Sequence, residues 1–302
     1  MEIKIEELIN KHNNKPCIVV GAGPTAHDFD YSRFKGVVII IGGAISRTNG
    51  LIEANYLISA NNHFPIPEIK KHRNIINKFK NAIWILSDTA CYNSIWNKDT
   101  NTFKNLLKID HCFFDHVHFE QKACSPKRGC CKFLEDNPKR KMIYNIAEDH
   151  FGIKLNNKKI GVSVSDYAIT FAMMFGCNPI FIQGVDLPLN HYKSIFQTYS
   201  GIKMSKKKEL EEKIFFKSLR YKFFLYYLKN MNFKPYFDSI IEKIKIRYFK
   251  HSVFSVNFKH TVAVMKWIKK IAKKRGVKIY TLSEKSTFNK MSTFEYLPAN
   301  LV

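Results

Sequence analysis

Acidic residues are scarce in this chain: 25 Asp and Glu stand against 49 Lys and Arg, a formal charge of +24. A surface so basic attracts polyanions: phosphates, nucleic acid or an acidic membrane surface. The basic residues run along the whole chain, so a generally lysine-rich surface is the plain alternative. Long apolar runs are missing. No segment offers about 18 consecutive apolar residues, the length a membrane-spanning helix needs. The opening MEIKIEELINKHNNKP is charged and contains no stretch of the kind found in secretory signals. Seven cysteines are an odd number, which excludes a complete intramolecular disulfide framework. The expected compartment is therefore the reducing cytoplasm, with a peripheral position at the inner membrane face as the alternative. No RRM, KH or zinc-finger pattern is present, so nucleic acid is not the expected partner. There is no internal repeat.

What is present is core material. Of 302 residues, 45% are hydrophobic and 14% aromatic, which excludes a disordered or collagen-like chain. Residues 1–14 read as a short amphipathic helix with Ile3, Ile5, Leu8 and Ile9 on its apolar side. Compact apolar runs follow at 16–20, 37–41, 55–59 and 82–86, and later at 179–183 and 277–282. None alternates with period two. Continuous apolar strands are buried on both faces, so the expected fold is α/β: a Rossmann-like, mostly parallel sheet between helices. Ser165 is a plausible N-cap of a helix that carries Asp166 in its first turn and closes at Gly176. A longer helix is expected over 259–275. The Lys- and aromatic-rich stretch around 203–250 reads as a basic helical insertion. The expected division is a Rossmann-like domain (1–200), the insertion (201–257) and a helix–strand unit (258–302) that completes the first domain. Lys and Arg interleaved with Phe and Tyr in the insertion would suit an anionic membrane surface; core packing or an acceptor-binding lid are the alternatives.

The chemistry-bearing residues gather where strands end. Open parallel sheets bind ligands beyond the carboxyl edge. Gly21, Gly23 and Thr25 follow the first strand, Gly42 and Gly43 the second, and Asn61 and Asn62 the third. Glycines in such a turn let a phosphate approach the backbone N–H groups. No Gly-Lys-Ser/Thr ending follows Gly23, which excludes a P-loop, and no acid ends the second strand, which excludes a dinucleotide site. A tight structural turn is the plain reading of the same glycines. Ser163 and Ser165 precede or open a helix and would bind a phosphate or sugar hydroxyl. Asp186 ends a core strand and would hold Mg²⁺ or orient an acceptor; a turn-forming role in Asp186-Leu187-Pro188 is its alternative. His191 and His260 are the candidate general bases. The His/Cys-rich stretch 111–131 lacks the short Cys pairs of a structural zinc site.

These residues also carry a resemblance. Ile18-Val19-Val20-Gly21-Ala22-Gly23-Pro24-Thr25, then Gly43-Ala44-Ile45, Gly50 to Ser59, and Ser163-Val164-Ser165-Asp166-Tyr167-Ala168 running on to Gly184-Val185-Asp186-Leu187 resemble the MptE-like family. That family is named for the archaeal 6-hydroxymethylpterin diphosphokinase and includes bacterial motility accessory factors and surface-glycan proteins. The Gly-Pro turn, Asp30-Tyr31-Ser32-Arg33 and the Gly-x-Asp strand end are similar, more distantly, to Campylobacter-type sialyltransferases. The resemblance implies a nucleotide-dependent transferase. Transfer from a nucleotide sugar to a small-molecule or glycan acceptor, in bacterial surface-glycan assembly, is the preferred expectation. ATP-dependent pyrophosphoryl transfer to a pterin and a non-catalytic nucleotide- or glycan-binding protein are the alternatives. In the preferred case Gly21, Gly23 and Thr25 would cradle the donor phosphates. Gly42, Gly43, Asn61 and Asn62 would border the nucleoside or sugar.

Overall fold

The structure, a computed structural model, describes residues 1–48, 52–59, 75–87, 108–114, 143–154, 164–185, 256–284, 286 and 294–302. Among the described residues eight strands form one open sheet: β1 (Cys17–Val20), β2 (Val37–Ile41), β3 (Tyr56–Ser59), β4 (Ile83–Ser87), β5 (His111–Phe114), β6 (Ile180–Gln183), β7 (Ile279–Thr281) and β8 (Glu295–Tyr296). Their order is β5-β4-β3-β2-β1-β6-β7-β8, and every pairing is parallel. The chain starts at β1, builds outward to β5, and returns to lay β6 on the other side of β1. The fold is α/β, as the unbroken apolar runs require. Every residue of β1, β2, β3 and β6 is buried.

Two layers cover the sheet. One holds α3 (Ile143–Phe151), α4 (Val164–Met174), α5 (Val256–Arg275) and the 3-10 turn Ile5–Leu8. The opposite layer holds the 3-10 turns Pro24–Asp28 and Tyr31–Arg33, with α1 (Ala44–Thr48) and α2 (Ile75–Lys78). All eleven residues of α4 are buried, so this helix is the centre of the first layer. Its neighbour α5 packs Val264, Met265, Ile268, Ile271 and Ala272 into the same core. Trp267 donates its indole N–H to the Ile153 carbonyl at 3.0 Å.

Several expectations are corrected by this arrangement. The N-terminal helix shrinks to the turn Ile5–Leu8, which buries Ile5 and Leu8 against the core. His111 and Cys112 lie in β5, in a stretch that reads as irregular from the sequence. Burial pushes the Cys112 thiol up to about 12, so it stays protonated and packs as an apolar group. The helix at 164–174 begins at Val164, which places Ser165 inside its first turn and not at the N-cap. Gly176 closes it as expected, with φ +81° and its N–H on the Met173 carbonyl at 3.0 Å.

At the amino edge of the sheet, His12 Nε2 lies 2.7 Å from the Tyr56 hydroxyl. Burial holds the imidazole below its ordinary pKa, and Lys15 and Lys11 push the same way.

Candidate functional site

The carboxyl edge is where β1, β2 and β6 meet. Beyond β1, the N–H of Gly21 donates to the Gln183 carbonyl at 2.8 Å, and the N–H of Gly23 to the Gly184 carbonyl at 2.7 Å. The Gly184 N–H donates to the Thr25 hydroxyl at 3.2 Å, and the Gln183 side-chain amide to the Thr25 carbonyl. A Cβ on Gly21 would collide with the Gly184 carbonyl. A Cβ on Gly184, whose φ is +65°, would stand 2.6 Å from the Ala26 Cβ. The turn after β1 is thus fastened to the end of β6.

The amides of Gly21 and Gly23, expected to face a donor phosphate, are already donating to β6. The physical reason is that the parallel pairing of β1 with β6 continues past both strand ends, and glycine on each side lets the backbones touch. Thr25 is buried, its hydroxyl turned to Gly184.

The second glycine turn is built differently. Gly42 takes φ +49° and donates its N–H to the Ile58 carbonyl at 2.9 Å. Gly43 has more room: a Cβ there would meet the Ala22 Cβ at 3.5 Å, an ordinary contact. The amino end of α4 comes to the same place. Val164 Cγ1 lies 3.4 Å from where a Cβ on Gly42 would stand. Two glycine turns and the N-terminus of an eleven-residue helix therefore converge beyond β1 and β2. A helix end of this kind contributes positive potential. Ser165 and Asp166, both buried, lie in its first turn. Burial pushes the neighbouring Tyr167 phenol well above its ordinary pKa, and Asp166 adds to the effect.

Beside the turns lies a cleft of about 290 Å³, lined by Gly21, Phe29, Asp30, Tyr31, Ser32 and Thr48 over a floor that includes Val20 and Ala44. Its size is at the lower end for small-molecule sites, on the scale of a single sugar or base. Its charged group is Asp30. That carboxylate accepts from the Ser32 hydroxyl at 2.6 Å and the Ser32 N–H at 3.1 Å, and pairs with Arg33 at 3.2 Å. The Ser32 hydrogen bonds, with Arg33 behind them, hold it below the usual carboxylate range. Tyr31 is fixed by donating its hydroxyl to the Ala26 carbonyl at 2.7 Å. Asp30-Tyr31-Ser32-Arg33 is visible in the sequence as a motif, but its place on a cleft wall is not. The signal was local: Asp followed two residues later by Ser is the pattern of a side-chain-capped turn.

Asn61, Asn62, Ser163, Asp186 and His191 lie outside the described residues. His260 is the fifth residue of α5. Among the described residues no group of three His, Cys, Asp or Glu is placed to hold a metal ion. Among them, too, no helix is long and apolar enough to cross a membrane.

No protein-family model matches the chain. No curated protein matches it either. Solved structures do. The sialyltransferase CstII from Campylobacter jejuni, in complex with the substrate analogue CMP-3FNeuAc, is similar at a TM-score of 0.42 and 14% identity, covering 94% of this chain and 86% of that one. The monofunctional α-2,3-sialyltransferase Cst-I from Campylobacter jejuni is similar at 0.46 and 13%, covering 95% and 81%. The sialyltransferase CST-II in complex with a trisaccharide acceptor and CMP is similar at 0.42 and 14%, covering 94% and 87%. Likeness at this level assigns no activity to this chain.

Proposed function

We propose that this chain is a nucleotide-dependent transferase that takes its glycosyl group from a nucleotide sugar. The observation that supports the reading is the convergence of the Gly42-Gly43 turn with the N-terminus of α4, next to the 290 Å³ cleft. A helix N-terminus flanked by glycine backbone is a ready site for a phosphate. In this reading the donor phosphate sits against the first turn of α4 and Gly43, with Ser163 and Ser165 as hydroxyl partners. Asn61 and Asn62 border the nucleoside. The cleft beside Asp30 takes a hydroxyl-bearing ring.

The phosphate position differs from the one that the sequence suggests. Gly21, Gly23 and Thr25 act here as the brace that joins β1 to β6 and so holds the crevice floor. Transfer further requires a base for the acceptor hydroxyl. His191 and His260 are proposed for that role. Asp186, the residue that the sequence suggests for Mg²⁺, is proposed to orient the acceptor. Surface-glycan assembly is the setting proposed for the reaction, in keeping with the sequence resemblance.

A thermal-shift screen of CMP, UDP, GDP and ATP, with and without Mg²⁺, tests the reading. Stabilisation by a pyrimidine or guanine nucleotide, followed by donor-sugar consumption that falls in at least one of Asp186→Ala, His191→Ala and His260→Ala, is the expected result. Stabilisation by ATP alone and only with Mg²⁺ would favour pyrophosphoryl transfer instead. Binding with no turnover of any donor would leave a nucleotide-binding protein.

A further inference from the structure

The outer face of α5 is dominated by one residue type. Between Val264 and Lys274, every exposed position is lysine: Lys266, Lys269, Lys270, Lys273 and Lys274. The remaining positions are buried. At 100° per residue the five lysines cover an arc of about 140°, and at 1.5 Å rise they run about 12 Å along the axis. They stand three or four residues apart, the spacing at which like charges on a helix repel. No ion pair joins Lys266, Lys270, Lys273 or Lys274 to a described acid, and α5 itself contains no Asp or Glu. The next cation, Arg275, is engaged by the protein itself, donating to the His150 and Phe151 carbonyls at 3.2 Å. Lys278, just beyond the helix, is exposed again.

We infer that this lysine face of α5 is a docking surface for an anionic phospholipid bilayer. Charge complementarity is the first argument: the ammonium groups of Lys266, Lys270, Lys273 and Lys274 lie along one exposed helix face and match a plane of phosphate headgroups. The side chains of this face then narrow the partner. Between Val264 and Lys274 its exposed positions offer no aromatic ring on which single-stranded bases would stack. Trp267 is buried and committed to Ile153. The face also offers no apolar side chain to insert among acyl chains, since Val264, Met265, Ile268, Ile271 and Ala272 are spent on the core. The contact is therefore electrostatic adsorption at headgroup level, additive over the lysines and weakened by salt. It orients the protein with α5 toward the bilayer. The opposite layer, with α1 and the Asp30 cleft, then faces away from it.

Cosedimentation of the full chain with vesicles tests this. Phosphatidylcholine vesicles are compared with vesicles containing roughly one-third phosphatidylglycerol. The wild type is expected to bind only the anionic vesicles and to be released by roughly 0.5 M NaCl. Replacing Lys266, Lys269, Lys270, Lys273 and Lys274 by Gln should weaken binding roughly tenfold or more, while replacing all five by Arg should retain it. If the five-Gln chain loses its folded circular-dichroism signal, Lys266→Gln/Lys273→Gln and Lys270→Gln/Lys274→Gln are compared in the same way, each expected to bind more weakly. Three results would overturn the inference: no binding of the wild type to anionic vesicles, equal binding by the Gln variants (which would place adsorption elsewhere, such as 201–257), or preference for an RNA or DNA oligomer over the vesicles.

Discussion

Gly23 donates its backbone N–H to the carbonyl of Gly184 at 2.7 Å, and that bond ties the turn after β1 to the residue that follows β6. The two residues close the point where the chain, having built the sheet outward to β5, returns to its centre. In doubly wound sheets that point is where a ligand crevice opens. Here its floor is laced shut by backbone, and the open space moves sideways, toward the Gly42-Gly43 turn and the Asp30 cleft.

Gly184 should therefore be intolerant of any side chain. Gly184→Ala meets left-handed strain and contact with Ala26 together; a loss of about 2–4 kcal/mol is expected. Gly276 is the control: its φ is +69°, but a Cβ there has nothing within 4 Å. Gly276→Ala should cost only the strain, about 1 kcal/mol. Urea unfolding of both variants measures the difference, and equal losses would contradict the close approach of β1 and β6.

Thr25 should matter through its hydroxyl. Thr25→Val keeps the shape but leaves the buried Gly184 N–H without an acceptor, at a cost of about 1–3 kcal/mol. Thr25→Ser should recover most of it. Unfolding midpoints of the three proteins provide the check; a Val variant as stable as wild type would show that the bond contributes nothing.

The two glycines after β2 should part company. Gly42→Ala is strained by φ +49° and should lose about 1–2 kcal/mol. Gly43→Ala faces only an ordinary contact with Ala22 and should stay within about 0.5 kcal/mol of wild type. Its Cβ would nonetheless stand at the proposed phosphate position, so nucleotide affinity should fall roughly tenfold or more. Calorimetric unfolding and titration on the same sample separate the two effects.

His12 makes stability pH-dependent in a stated direction. Its pKa in the folded chain lies below the 6.5 of the unfolded one. The unfolded chain thus binds more protons as pH drops, so the contribution is full above pH 6.5 and is lost as pH falls toward the folded value. His150, depressed by burial and by Arg275, acts the same way. Urea midpoints between neutral and mildly acidic pH should decline in wild type and decline less in His12→Gln. An identical decline in the two would exclude His12 as a contributor.

Much of the fold was legible because a parallel strand buried on both faces must be a continuous apolar run. Val37 to Ile41 is such a run, ended by Gly42, and Ile180 to Ile182 is another, followed by Gln183 and Gly184. β5 escaped because its first residue is His111; it is a strand by pairing with β4 on one side and by the bridge of His111 to Glu2 on the other. β8 is two exposed residues, Glu295 and Tyr296, too short to carry any period. The site was legible in kind and not in detail. Gly21 and Gly23 mark a close approach, which the sequence shows; that the approaching group is Gly184 and not a ligand depends on a strand some 160 residues away. The meeting of Gly42 with Val164 is likewise a product of how α4 packs across β1, β2 and β3, and no local pattern records it.

The proposed donor phosphate lies where the Gly42-Gly43 turn meets the N-terminus of α4. Isothermal titration of the full chain with CMP, UMP and GMP, each against its own phosphate-free nucleoside, probes that position. At least one nucleotide should bind with measurable heat while its nucleoside binds roughly tenfold or more weakly, the margin expected for losing a charge-assisted contact. Equal affinity for nucleoside and nucleotide, or no heat with any of them, would contradict the account.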